Sequence, residues 1–298
     1  MASEMVVTET SLTGLELVAR GKVRDIYRFG DSLLIVSTDR LSAFDVVLPD
    51  GIPDKGKVLN QLSRFWFDKF RDVIPNHMIT SEPTAFYEEL ERFRPVLVGR
   101  SMLVRRAKPL PVECVVRGYL AGSAWKEYSQ TGRVGSYRLP QGLRQADELP
   151  EPLFTPSTKA QSGHDEGLTV EQFTAMVGEG VARLVIEASL EIYTRACNYA
   201  RRRGIIIADT KFEFGLIGNE VVLIDELLTP DSSRFWSQKE YQPGGSPPSF
   251  DKQFVRDYLE ALGWDKRPPA PQLPLEVIAG TASRYREVFR LLTGQELA

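Results

Sequence analysis

Residues 204–236 read GIIIADTKFEFGLIGNEVVLIDELLTPDSSRFW: two apolar runs carrying a line of acids and a lysine, then an Asp-Ser-Ser-Arg turn. Under strict strand alternation Ile205, Ile207, Asp209, Lys211 and Glu213 fall on one face, and Ile206, Ala208, Phe212 and Phe214 on the other. A three-residue hairpin loop of Gly218, Asn219 and Glu220 pairs Ile217 with Val221 and sets Glu213 opposite Asp225. Paired β carbons lie about 5 Å apart. Two carboxylates at that spacing repel unless a cation lies between them, and Mg2+ completed by phosphate oxygens suits such a pair. A two-residue loop would place the two acids on opposite faces. A solvated edge hairpin is the plainer reading, but it explains poorly why Asp225 and Glu226 follow directly on the apolar run 221–224.

Other segments suit an anionic substrate. Arg117 and Ser123 in VVRGYLAGSAWKEY offer a guanidinium after a strand and a hydroxyl near a helix start, a combination suited to a phosphate monoester; Ser123 could equally be an N-cap. In PDSSRFW, Asp231, Ser232, Ser233 and Arg234 form either a second oxyanion-binding turn or a capped turn with an exposed arginine. Gly21, Lys22 and Val23 in ARGKVRDIY suit a turn over nucleotide phosphates, or an ordinary hairpin turn. DRLSAFD groups Asp39, Arg40, Ser42 and Asp45, and TPSTKAQSGHDE places Lys159 and His164 in a polar loop where Lys159 is a candidate carboxylate binder.

The elements that position these residues are mixed. Residues 15–50 read as short antiparallel strands, 57–71 has helical apolar spacing, and 98–120 returns to strand character. The Gly-, Pro-, Thr- and Ser-rich stretch 130–167 reads as a long functional loop. Thr169 with Gln172 makes a capping box, opening a helical stretch to about 203 that is interrupted near Gly178 and Gly180; 275–292 reads as a C-terminal helix.

At 298 residues the chain can bury a large core without cross-links. Cys114 and Cys197 form no C-x-x-C pair, and His77 and His164 lie far apart, so zinc is not expected and reduced thiols are. A formal charge of -3 argues against a nucleic-acid surface, and the run 201–203 of arginines suits a helix end. No apolar run approaches the ~20 residues of a membrane span, and no targeting segment is evident, so a soluble cytoplasmic chain is expected.

Taken in order, GKVRDIY, DRLSAFD, IPDKGKVLNQLS, VRGYLAGSAWKEY, FTPSTKA with HDE, ADTKFEFG, IDELLTPDSSRFW and SFDKQFVRDYL resemble the phosphoribosylaminoimidazole-succinocarboxamide synthase (SAICAR synthetase) family in its longer form, over nearly the whole chain. The resemblance implies an α+β fold of two lobes with ATP in the cleft, distantly kinase-like, with a β-rich nucleotide-binding lobe over 1–109 and a larger substrate- and metal-binding lobe over 110–298. It implies an ATP- and Mg2+-dependent ligase of purine biosynthesis that joins 5-amino-1-(5-phosphoribosyl)imidazole-4-carboxylate to L-aspartate through an acyl phosphate. By position in the motifs, Glu213 and Asp225 are implied as metal ligands and Lys211 as the group steadying the transferring phosphoryl. Asp209 would hold ribose hydroxyls or the imidazole. Arg117, Ser123 and Arg234 would hold the 5'-phosphate, Gly21, Lys22 and Val23 the nucleotide phosphates, and Arg106, Lys108 and Leu110 the adenine. Ser42, Asp45 and Lys159 are the candidates for the aspartate site. Partners are small molecules, without nucleic acid or membrane, in a monomer or small homo-oligomer. A small-molecule kinase of the same fold is the principal rival, since the same groups serve either chemistry.

Overall fold

The computed structural model describes residues 5–159, 166–250 and 252–297. The first strands form a meander, β1 (Leu17–Arg20), β2 (Arg24–Phe29) and β3 (Ser32–Ser37), followed by a hairpin of β4 (Arg40–Ala43) and β5 (Val46–Gly51). Helix α1 (Lys55–Lys69) leads to β6 (Met78–Thr80), the short helices α2 (Pro83–Phe86), α3 (Glu88–Glu91) and α4 (Arg94–Leu97), and β7 (Ser101–Arg105). The first sheet is antiparallel in the order β1-β2-β3-β7-β6. Alternation along β3 explains its two coverings: Leu34 and Val36 pack with Leu12, Leu90 and Leu97, whereas Leu33 and Ile35 face the cluster containing Leu59, Leu62 and Trp66 of α1.

Next come β8 (Lys108–Pro109), β9 (Val112–Tyr119), α5 (Gly122–Thr131), β10 (Arg133–Val134), β11 (Tyr137–Arg138), β12 (Glu148–Thr158), α6 (Val170–Val177), α7 (Glu179–Arg201), β13 (Ile205–Ile217), β14 (Glu220–Ile224), β15 (Ser233–Ser237), α8 (Gln253–Ala261) and α9 (Leu275–Thr293). The second sheet runs β12-β9-β13-β14, with β15 and β8 also paired to β13. The Thr169–Gln172 capping box opens α6, and Gly178 separates it from α7. The expected long loop at 130–167 instead contains an eleven-residue strand, β12, which pairs with β9 from Leu153↔Arg117 to Thr158↔Val112. Pro150, Pro152 and Pro156 mask it in the sequence; proline is tolerated there because β12 is an edge strand.

Two expectations for β13 require correction. The hairpin to β14 has the two-residue loop Gly218-Asn219, since Ile217 pairs with Glu220 and Glu213 with Ile224. Gly218 takes φ 61°, as a glycine-first two-residue turn demands. Strict alternation also fails. Ile205 and Ile207 share one core with Phe212 and Phe214, an odd interval apart, whereas Ile206 and Ala208 face another cluster. The cause is a β-bulge: Ile207 pairs with Phe235 but Asp209 with Arg234, leaving one extra residue on β13. Asp209, Lys211 and Glu213 do share a face, but it is opposite to that of Ile205 and Ile207.

The largest core spans both sheets, from Val58 and Val104 through Cys114 and Ile207 to Phe289. A second cluster joins Leu41, Leu48 and Ile52 of the β4–β5 hairpin to Val255, Leu259 and Val277 of α8 and α9. The chain before residue 110 is thus packed onto the rest through shared cores. No helix among the described residues is long and apolar enough to cross a membrane.

Candidate active site

At one end of the acidic face of β13, Asp209 lies directly across from Arg117 of β9 and Arg234 of β15. Its carboxylate accepts from Arg117 Nη1 at 3.3 Å and from Arg234 Nη1. Arg117 also donates to Ser123 Oγ at 3.2 Å and to Thr155 Oγ1 at 2.9 Å, so all three of its nitrogens are directed. The N-cap of α5 is Ala121, with no side-chain cap, so Ser123 is a partner of Arg117 and not an N-cap. Gly122 has φ 54°, and a β carbon there would lie 2.3 Å from Arg234 Nη2; glycine is what lets the guanidinium reach the helix start. Arg117, Ser123, Asp209 and Arg234 are therefore one constellation.

Arg234 stands between two cavities. One, of 140 Å³, is lined by Gly122, Gln145, Trp236 and Ser246; the other, of 100 Å³, by Asp209, Ser232, Ser233, Lys252 and Arg256. Arg256 carries no ion pair among the described residues. Asp231 does not turn outward as an oxyanion turn would have it. Its side chain is 2% exposed and accepts from Lys55 Nζ at 2.7 Å and Tyr285 Oη at 2.7 Å, with Lys252 Nζ at 3.3 Å. Burial works against its charge, but the two ammonium groups and these hydrogen bonds hold its carboxyl well below the usual range.

At the other end of the face, Glu213 is ion-paired with Lys159, and Arg24 of β2 bridges Asp225 at 2.8 Å and Glu226 at 2.7 Å. Glu213 and Asp225 are brought near one another despite the shorter hairpin loop. The strand ends at Ile224, and Asp225 takes φ 64°, leaving strand geometry before alternation can turn it away. Burial raises the Asp225 carboxyl above its ordinary range, and the charge of Glu213 adds to the rise against Arg24, Lys159 and Lys211. Lys211 lies between the two ends and donates to Glu113 Oε1 at 2.6 Å. Burial opposes its ammonium, yet Glu113 and Glu213 prevail and raise its pKa.

No group of three or more metal-ligating side chains occurs among the described residues. Glu213 and Asp225 are hard oxygen donors that fit Mg2+ only as a two-carboxylate site completed by other oxygens.

Gly21, Lys22 and Val23 form the β1–β2 turn, closed by Gly21 N to Arg24 O at 2.7 Å and held by Arg40, which donates to the Gly21 carbonyl at 2.9 Å. Lys22 pairs with Asp45, Ser42 pairs with Val47 inside the β4–β5 hairpin, and Lys159 pairs with Glu213. Arg106, Lys108 and Leu110 cross from the first sheet to the second: Lys108 pairs with Leu216, and Leu110 N donates to Phe214 O at 2.8 Å. Gly215 permits the crossing, since a β carbon there would lie 3.0 Å from Lys108 O. His164 lies outside the described residues.

Sequence reasoning passed over Arg24, Lys55, Glu113, Thr155, Lys252 and Arg256. Two carried a signal: Arg24 stands two residues after Lys22, and Glu113 alternates with Val115 and Arg117 on one strand. The others are set by long-range packing.

A family model for SAICAR synthetase matches residues 17–271. The chain belongs to the SAICAR synthetase family. It is therefore an enzyme, a carbon–nitrogen ligase of purine biosynthesis that forms the succinocarboxamide. The phosphoribosylaminoimidazole-succinocarboxamide synthase of Thermodesulfovibrio yellowstonii is 57% identical over 97% of this chain and 99% of its own length. The ligase also superposes on the SAICAR synthase of Saccharomyces cerevisiae complexed with SAICAR, with TM-score 0.88, 44% identity and coverage of 97% and 99%. A SAICAR synthetase in complex with ADP aligns with TM-score 0.68 and 25% identity over 93% of this chain and 98% of that one.

Proposed function

We propose that the ligase binds ATP between its two sheets and the phosphorylated imidazole carboxylate at the Arg117 end of β13, and that it activates the carboxylate as an acyl phosphate. The single observation that carries this reading is the division of β13: an arginine-rich end at Asp209, an acid-rich end at Glu213, and Lys211 between them. A carboxylate is inert to an amine until its oxygen can leave, and phosphoryl transfer needs chiefly positioning and charge neutralisation. The ADP held by the SAICAR synthetase of TM-score 0.68 supports the nucleotide assignment.

In this reading Arg117, Ser123 and Arg234 grip the 5'-phosphate, and Asp209 orients the ribose or imidazole while steadying both arginines. The turn of Gly21, Lys22 and Val23 covers the nucleotide phosphates, and Arg106, Lys108 and Leu110 meet the adenine. Glu213 and Asp225 would hold Mg2+, which frees Arg24 to turn toward phosphate oxygens and Lys159 to turn toward aspartate. When bound, the ion neutralises charge on the transferring group. Lys211 stabilises the γ-phosphoryl as a substrate carboxylate oxygen attacks it and ADP leaves. The aspartate amine then attacks the acyl carbon, the C–O bond to phosphate breaks, and the amine gives up a proton. Lys159, Ser42 and Asp45 remain the candidates for aspartate, joined by Lys252 and Arg256. The first sheet with its linking segment (1–109) serves the nucleotide and 110–298 serves the substrate and metal, in a cytoplasmic chain working on small molecules as a monomer or small homo-oligomer.

The test is to incubate the protein with ATP, Mg2+ and the imidazole carboxylate, with and without L-aspartate. Sustained ADP release only with aspartate, one amide per ADP, is expected, because a closed cleft keeps water from the acyl phosphate. Rapid aspartate-independent ADP release with a stable phosphorylated product would make the protein a kinase and overturn the reading.

A further inference from the structure

The β13 bulge decides which way the acids of the active face point. Without the extra residue, Asp209, Lys211 and Glu213 would continue the parity of Ile205 and Ile207 and face the large core. A bulge in an extended strand needs something to hold it, because the additional residue leaves backbone groups outside the ladder. On the core side of the sheet, Tyr193 of α7 supplies the partner. Its hydroxyl, on a side chain 2% exposed, lies 2.7 Å from the Ile207 carbonyl and 3.2 Å from the Ala208 carbonyl, the two peptides that enter the bulge. Cys197 Sγ, one helical turn on, approaches the same Ile207 carbonyl at 3.7 Å. The hydroxyl can lie there only because β9 has no side chain beneath it: a β carbon on Gly118 would stand 2.3 Å from Tyr193 Oη.

Gly118 follows Arg117, and Arg117 pairs with Asp209 across the strands. One small unit therefore fixes the bulge, the direction of Asp209, and the arginine beside it. We infer that Tyr193, seated over Gly118, is a positioning residue for substrate binding: its hydroxyl sets the β13 bulge and thereby aims Asp209 at Arg117 and Arg234. It touches no substrate. The Glu213 end has a support of its own, because the pairing of β13 with β14 runs without irregularity from Glu213 to Ile217, so loss of the hydroxyl is felt first at Asp209. This inference rests on the reading that Asp209 and the two arginines bind the phosphorylated imidazole.

The experiment compares Tyr193→Phe, which keeps the ring and removes the hydroxyl, with Gly118→Ala, which pushes the hydroxyl away from below. Thr281→Val serves as a control that removes another buried hydroxyl, one bonded within α9 at 2.6 Å. Both test variants are expected to raise KM for the phosphorylated imidazole about tenfold, leave KM for ATP within about twofold, and speed deuterium uptake in peptides covering 205–213. Thr281→Val is expected to change none of the three. Equal changes in both KM values, or lowered thermal stability with both KM values unchanged, would overturn the positioning role. Asp209→Asn separates the two levels: if it raises KM for the imidazole and Tyr193→Phe does not, the inference fails and the proposed site stands; if Asp209→Asn leaves that KM unchanged, both fail.

Discussion

The two ends of the β13 active face are built from the same kinds of residue with opposite charge balance. At Asp209 one carboxylate serves two arginines, and Lys252 and Arg256 stand nearby around a small cavity. At Glu213 the acids outnumber their partners: Glu113, Glu213, Asp225 and Glu226 share Lys211, Lys159 and Arg24. The first end lacks anions and the second lacks cations. Three residues of a single strand separate a place suited to a phosphate monoester from a place suited to a metal-bound polyphosphate, with Lys211 in the middle. Non-glycine residues with left-handed backbone occur around both ends: Phe44 and Asp45 in the hairpin beside Lys22, Asp225 and Leu228 after β14, Asp54 at the start of α1 next to Lys55, and Ala146 in the lining of the cavity at Arg234. Such strain collects where geometry is set by function.

The largest expected effect comes from removing one anion at the acid-rich end. Asp225→Asn should lower kcat at least a hundredfold while circular dichroism and thermal stability stay near those of the parent, because Asn tolerates φ 64° as well as Asp does. Glu213→Gln should behave alike. Near-normal turnover of either variant at saturating Mg2+ would remove the metal assignment. At the other end, Arg117→Ala or Arg234→Ala should raise KM for the phosphorylated imidazole far more than KM for ATP, by the tens to thousands that about 2 to 5 kcal/mol represents when a buried charge loses its partner. An equal rise in both would mean that the arginines hold the sheet together and do not read the monoester.

How far the sequence discloses this contrast depends on range. Groups within one strand or turn are legible from it: Asp209, Lys211 and Glu213 by spacing, the Thr169–Gln172 cap by its two side chains, and Arg117 with Ser123 by their place between a strand and a helix. The hairpin register is not, since Gly218 and Asn219 suit two- and three-residue loops alike and only the pairing partners choose. The bulge leaves a trace, the shift of apolar parity between Ile207 and Phe212, which strict alternation overlooks. Strand β12 is hidden because its prolines speak against a strand unless it is known to be an edge. Arg24, Lys55 and Lys252 reach their acids over long stretches of chain, and no local pattern marks them.

The supports behind the two ends differ as their faces do, and pH separates them. Behind the arginine end stands ionised Asp231 on Lys55, both almost fully buried. Asp231→Asn should cost about 3 to 5 kcal/mol near neutrality, since it leaves a buried ammonium poorly paired. Its carboxyl is held below the unfolded value, so the stabilisation is present above about pH 4 and is lost as pH falls through the lower folded value. Urea titrations of parent and variant should converge only in that acid range; a constant difference down to pH 2 would mean that Asp231 is neutral in the fold.

Behind the acid-rich end stands a neutral base. His77 is 3% exposed, packs edge-on to Phe67, and donates its backbone N–H to the Leu223 carbonyl. Burial, aided by the charge of Arg24, pushes its imidazole down to about 3. The unfolded chain binds a proton at this ring below about pH 6.5, and the folded chain does not until far lower. Its contribution is therefore complete above pH 6.5 and is lost as pH falls toward 3, on the order of 3 kcal/mol by pH 4. That window lies above the one assigned to Asp231. In His77→Phe, which keeps an aromatic ring against Phe67, the decline between pH 6.5 and 4 should be correspondingly shallower, while Asp231→Asn should leave that slope unchanged. Chemical denaturation at half-unit pH steps decides it: equal slopes in parent and His77→Phe would mean that the ring is already protonated beside Asp225, and that the acid-rich end is neutralised from behind as well as from Arg24.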